Sequence, residues 1–181
     1  MTQFITGTFS EAALANRAVA EIVAAGHPRD DISIIMNGEI QDRFADAIPA
    51  VQKTSRNAAR SDNRATAEAN AIGAILAESA RRNVSAMRSG RAGVPERFVV
   101  AGPAAAVLRR DGNDDARNGD TVEKLALLLG MPRNDAERLD RDVGSGAIAV
   151  GVKASNGERV AVERILRTNA ARIVVESLTA S

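Results

Sequence analysis

The chain contains no cysteine, no tryptophan and no tyrosine. Without cysteine there is no disulfide, no thiol nucleophile and no thiolate ligand for zinc or an iron–sulfur cluster. Aromatics make up 2% of the 181 residues, so the core has to be built from Ala, Val, Ile and Leu. Few rings remain on which a nucleic-acid base could stack. His27 is the only histidine, which excludes a histidine cluster around a metal. No apolar run approaches the roughly 18 residues of a membrane span. The opening Met1-Thr2-Gln3-Phe4-Ile5 has no basic stretch before an apolar one, so no secretory signal is expected. Formal net charge is only +1, so bulk charge favours neither nucleic acid nor a lipid surface. These absences together predict a soluble, cytoplasmic protein that does not engage membranes.

What is present is aliphatic and patterned. Apolar residues are 45% of the chain, enough for one domain over 1–181. Phe4 to Phe9 reads as a strand. A helix is expected from Ser10, with the serine as N-cap and Phe9 stapled to Leu14. Leu14, Ala18, Ile22 and Ala25 recur at helical spacing, and Gly26 and Pro28 end the run. Ile32, Ile34 and Met36 then alternate as in a half-buried strand, followed by the turn pair Asn37-Gly38. The C-terminal part repeats this grammar. Ala147 to Val152 is a strand, Ser155-Asn156-Gly157 a turn, Ala161 to Leu166 a helix ending near Asn169, and Arg172 to Val175 a last strand. Ala18 to Val23 superimposes on Ala161 to Leu166, with Gly26 matching Asn169, as an internal duplication would.

Two βαβ halves, 1–38 and 147–181, predict an α+β fold: a ferredoxin-like split βαβ four-stranded sheet with both crossover helices on one face. The other face needs cover, from the insert or from another subunit. Between the halves lies an insert, 39–146, that reads as helical throughout. It includes an Ala-rich helix from Ala65 to Met87. The apolar segment from Phe98 to Leu108 is too short to span a membrane. Asn134-Asp135-Ala136-Glu137 reads as a capping box for a further helix ending at Gly144.

Several stretches in this order resemble the bacterial general-stress, or heat-induced stress, protein domain family. They are Asp30-Asp31-Ile32-Ser33-Ile34-Ile35, Ala101-Gly102-Pro103-Ala104-Ala105-Ala106, Leu129-Gly130-Met131-Pro132, and Gly144 with Gly146 before a strand. In that family βαβ ends flank an Ala/Gly-rich middle. The likeness covers both ends and the second half of the insert and is weak from about Asp42 to Gly93. It implies a stress-associated role and transfers no catalytic residue.

The chemistry-bearing motifs are sparse. Asp111, Asn113 and Asp115 start like a calcium loop, but Ala116 and Val122 stand where Gly and a bidentate Glu are needed. Gly144-Ser145-Gly146 precedes a strand and carries no Gly-Lys-Ser/Thr, so it reads as a helix stop rather than a phosphate cradle. His27 follows Gly26 at a helix C-terminus and reads as part of the cap. No catalytic residue, cofactor or metal site is therefore expected, and the protein is read as not an enzyme.

The remaining signals concern partners. Between Val51 and Val94 eight basic residues face three acidic ones, a local +5, leaving 16 against 20, or −4, elsewhere. Lys53, Arg56, Arg60 and Arg64 step by three and four along one helix face, a stripe able to neutralise phosphates. Ile72, Leu76, Ala80, Val84 and Met87 form the apolar stripe of the Ala-rich helix and are assigned to an oligomer interface. The preferred expectation is a self-assembling homo-oligomer of the stress response. A nucleic-acid-binding or compacting protein using the stripe from Lys53 to Arg64 is the alternative, and a small-ligand regulatory domain, by fold analogy alone, is another.

Overall fold

The structure is a computed structural model and describes residues 2–38, 40, 71–82, 98–110, 121–172 and 174–178. It is a mixed α+β arrangement around one antiparallel sheet. The strands are β1 (Thr2–Phe9), β2 (Ile32–Asn37), β3 (Phe98–Ala101), β4 (Ile148–Ser155) and β5 (Val174–Leu178). The helices are α1 (Ala12–Ala24), α2 (Ala71–Arg82), α3 (Pro103–Arg110), α4 (Thr121–Leu128), α5 (Arg133–Gly144) and α6 (Arg159–Thr168), with a short 3-10 turn at Arg29–Asp31.

The strand order is β3-β2-β4-β1-β5. β1 is antiparallel to β4, from Thr2 opposite Ser155 to Phe9 opposite Ile148. On its other side β1 pairs with β5, Gln3 opposite Leu178 and Gly7 opposite Val174. β2 pairs antiparallel with both β4 and β3. All three strands in the interior of the sheet, β2, β4 and β1, therefore come from the two terminal halves. The two C-terminal strands flank β1, and this is what joins the termini.

Because side chains alternate across a strand, the sheet has two apolar faces, and helices cover both. Ile5, Phe9, Ile34 and Val150 face α1, α2 and α6 in one cluster. Phe4, Ile35, Ala149 and Val175 face α3, α4 and α5 in the other. Each fully buried Ile, Leu or Phe contributes about 1.5–3 kcal/mol of hydrophobic stabilisation, so both layers stabilise the sheet. The first layer is the one expected for two crossover helices. The second is built by the insert, which answers the question of what covers the other face.

The structure overturns four expectations. The insert is not helical throughout, since Phe98–Ala101 is the β3 edge strand. β2 is not half-buried, because Ser33 and Ile35 between its alternating residues are as buried as Ile32 and Ile34. The second helical layer is the reason. Ser10 is not the N-cap of α1. It is exposed, and the cap is Glu11 in an extended conformation with no side-chain bond. The capping box at Asn134 is absent too. α5 starts two residues earlier, at Arg133 behind Pro132, with no side-chain cap.

The helix ends are more uniform than their starts. After α1, Gly26 (φ 101°) donates to the Val23 carbonyl and His27 to the Ile22 carbonyl. The same pair of bonds closes α4 through Gly130 and Met131, α5 through Gly146 and Ala147, and α6 through Ala170 and Ala171. This is the Schellman arrangement, whose turning residue needs a left-handed conformation. At α6 that residue is an alanine, Ala170, with φ 61°. Gly26 therefore corresponds to Ala170, not to Asn169. The buried Ala18 and Ile22 of α1 then match the buried Val162 and Leu166 of α6, a correspondence displaced by one residue from the sequence alignment.

Candidate interaction surfaces

α2 is positioned from its N-terminus. The Ile72 N–H, one of the donors a helix start leaves without a partner in the helix, donates to Asn16 Oδ1 of α1 at 3.0 Å. Ala71, Ile72 and Ile75 then fall into the first apolar cluster, with Leu76 packed against it. Ile72 is 0% exposed. Its burial is accounted for within a single chain, so its assignment to a subunit interface is corrected. Leu76 is likewise spent in part on the same core. The side chain of Ala80 and residues Val84 and Met87 lie outside the described residues, as do Lys53, Arg56, Arg60 and Arg64 and the loop from Asp111 to Asp115.

The second layer is attached by polar locks that the sequence reading missed. Ser33 Oγ, buried in β2, accepts the Ala104 N–H of α3 at 3.1 Å. Gly102 (φ 79°) makes the turn between β3 and α3 so close to β2 that a Cβ there would collide with the Ile32 carbonyl oxygen. Pro103 at the first helical position loses no needed donor. Thr8 Oγ1, buried in β1, donates to Asp142 Oδ2 of α5 at 3.1 Å. On the first layer Asn169 Nδ2 donates to Glu21 Oε2 at 2.8 Å and to the Ile165 carbonyl. Buried polar groups keep partners because leaving one unsatisfied costs about 1–3 kcal/mol. The sequence carries a clue for one of them: Ser33 stands between two isoleucines in a strand whose neighbours are buried.

The surface carries exposed ion pairs one helical turn apart, Arg17–Glu21, Arg133–Glu137 and Arg167–Glu163. Pairs of this kind are worth little individually. Glu158 accepts from both the Ser155 hydroxyl and the Ser155 N–H. Those bonds hold its carboxyl below the ordinary 4.5. His27 is 7% exposed and sits in the α1 cap through its own N–H, with Glu158 as a charged neighbour. Gly144-Ser145-Gly146 is the end of α5 and its turn. Among the described residues no group of three or more His, Asp or Glu is placed to hold a metal. No helix there is long and apolar enough to cross a membrane.

Leu127, Leu128 and Val160 are the large apolar side chains left exposed among the described residues. Among the described residues the sheet also ends on β5, which pairs with β1 on one side. No family model, no curated protein and no solved structure matches this chain.

Proposed function

We propose that the chain is a non-enzymatic bacterial stress-response protein that acts by assembling with copies of itself. The observation that carries this reading is a sheet with both faces covered by its own helices and, among the described residues, an outer edge at β5. An outer strand offers a row of backbone donors and acceptors to another strand, and like edges pair through a two-fold axis. Of the two covers expected for the second sheet face, the insert or another subunit, it is the insert's α3, α4 and α5 that pack there, so the proposed association surface is the edge. A ferredoxin-like ancestry of the terminal halves is supported by β2, β4, β1 and β5 lying in that order, with α1 and α6 on one face. β3 is then an addition beside β2. The stress-response part rests on the family-like stretches at Asp30 to Ile35, Ala101 to Ala106, Leu129 to Pro132 and Gly144 to Gly146. The non-enzymatic part is supported by the use made of the buried polar groups: Ser33, Thr8 and Asn169 each hold one element to another.

Light scattering coupled to size exclusion at micromolar concentration tests the proposal. A defined oligomer is expected, with the β5 amides exchanging more slowly with deuterium above the association concentration than below it. A monomer throughout overturns it. A second reading is favoured by one observation, the +5 of residues 51–94 against −4 elsewhere. It is nucleic-acid binding through Lys53, Arg56, Arg60 and Arg64, with steep salt dependence. Absence of a mobility shift at low salt rules that reading out.

A further inference from the structure

Three Asn-Gly pairs occur in the sequence, Asn37-Gly38, Asn118-Gly119 and Asn156-Gly157. The structure describes the first and the third, and they sit in opposite environments. Asn37 is the last residue of β2, in register with Phe98 of β3, and Gly38 is buried. Asn156 and Gly157 are both exposed at the tip of the turn between β4 and α6. Nothing lies within 4 Å of where a Cβ on Gly157 would stand. The bonds that close the turn run from the Glu158 N–H to the Ser155 carbonyl and from Ser155 to the Glu158 carboxylate. They leave the Gly157 nitrogen out.

We propose that Asn156 is a site of spontaneous covalent modification in the folded protein. The Gly157 backbone nitrogen attacks Asn156 Cγ. A C–N bond forms, the Cγ–Nδ2 bond breaks, and ammonia leaves carrying the proton from the Gly157 nitrogen. The resulting five-membered succinimide adds one water and opens at either carbonyl, giving aspartate or isoaspartate. No oxidant, metal or enzyme is needed. A residue after the asparagine with a side chain shields its nitrogen, and glycine does not. A strand residue such as Asn37 has its backbone fixed away from the geometry that cyclisation needs.

The products alter a defined piece of structure. Either one adds a negative charge beside Glu158 and takes the formal charge of the chain from +1 to zero. Loss of net charge favours association. Isoaspartate also inserts a methylene into the main chain between Ser155 and Glu158. The spacing that lets the Glu158 carboxylate reach both Ser155 donors is then lost, and the entry into α6 loosens.

The test is peptide mapping by mass spectrometry after incubating the native chain in mildly alkaline buffer, with isoaspartate detected by enzymatic methyl esterification. Asn156 is expected to convert at least about tenfold faster than Asn37, a ratio set by the protection of a strand against local opening. In concentrated urea the two rates converge. Gly157→Ala adds a methyl group into open space at a residue outside the left-handed region, so it folds, and it slows conversion at Asn156. Equal rates at Asn156 and Asn37 in the folded chain, or an unchanged Asn156 rate in Gly157→Ala, overturn the proposal.

Discussion

Asn169, the C-cap of α6, reaches back across 148 positions of sequence to the Glu21 carboxylate of α1. The amide is 2% exposed and also bonds its own helix at Ile165. One residue thus ends a helix and fastens the two crossover helices together. Asn169→Ala is expected to lower unfolding free energy by about 1–3 kcal/mol, read from urea denaturation. Asn169→Asp sets a second carboxylate against Glu21 and costs more at neutral pH. Its introduced carboxyl has a raised folded-state pKa, so its penalty shrinks as pH falls and that group protonates. A penalty for Asn169→Asp that does not respond to acid would remove Glu21 from the explanation.

Ala170 carries a left-handed backbone where α1, α4 and α5 use glycine. An L side chain there costs about 1–2 kcal/mol. Ala170→Gly is expected to raise stability by about 1 kcal/mol after glycine's larger unfolded-state entropy is subtracted. Gly26→Ala should lower it by a similar amount, and since nothing lies within 4 Å of that position, the loss is backbone strain alone. Thermal unfolding of the two variants, compared with the parent, decides both.

Gly102 and Ser33 fix the insert to β2 by different means. Gly102→Ala drives a methyl group against the Ile32 carbonyl at a positive φ and is expected to cost roughly 2–4 kcal/mol. Ser33→Ala leaves the buried Ala104 N–H without its acceptor, a loss of about 1–3 kcal/mol. In hydrogen exchange Ser33→Ala should loosen α3 before the pairing of β1 with β4. Uniform loss of protection across the sheet would contradict this order.

The carboxyl of Glu158 titrates below its ordinary range because Ser155 donates to it twice. A depressed folded-state pKa means the stabilisation is present above the unfolded value of 4.5 and is lost as pH falls through the folded one. Glu158→Gln should therefore flatten part of the acid limb of stability against pH. In Ser155→Ala the Glu158 carboxyl, followed by carbon-detected NMR, should move back up. An unchanged titration in that variant would mean the hydroxyl is not the cause.

The terminal halves were legible because their apolar residues keep a period of two in the strands and near 3.6 in the helices, with Gly26 and Gly38 as punctuation. β3 was not legible. Val99-Val100-Ala101 is covered or partly covered on both sides, so no alternation survives, and it runs directly into an equally apolar helix. The helix starts were misread at Ser10 and Asn134 for a related reason. Both are good capping residues one or more positions away from where the chain turns, and a residue's suitability does not say which backbone it meets. Ile72 shows the same limit for interfaces. A helical apolar stripe records that a face is buried, not whether the burying surface belongs to the same chain. The locks at Ser33, Thr8 and Asn169 depend on partners 71, 134 and 148 positions away, and no local pattern announces them.

β1 finds both of its neighbours, β4 and β5, in the last part of the chain. As the polypeptide emerges from the ribosome, β1 waits with neither of these edges satisfied until residue 148 and beyond have been made. More than 130 residues separate β1 from either neighbour, and contacts this distant in sequence form slowly. A nascent chain halted within the insert is thus expected to present an unpaired apolar ribbon to chaperones. Truncations that remove only the last strands should collapse the N-terminal half as well, rather than leave it standing.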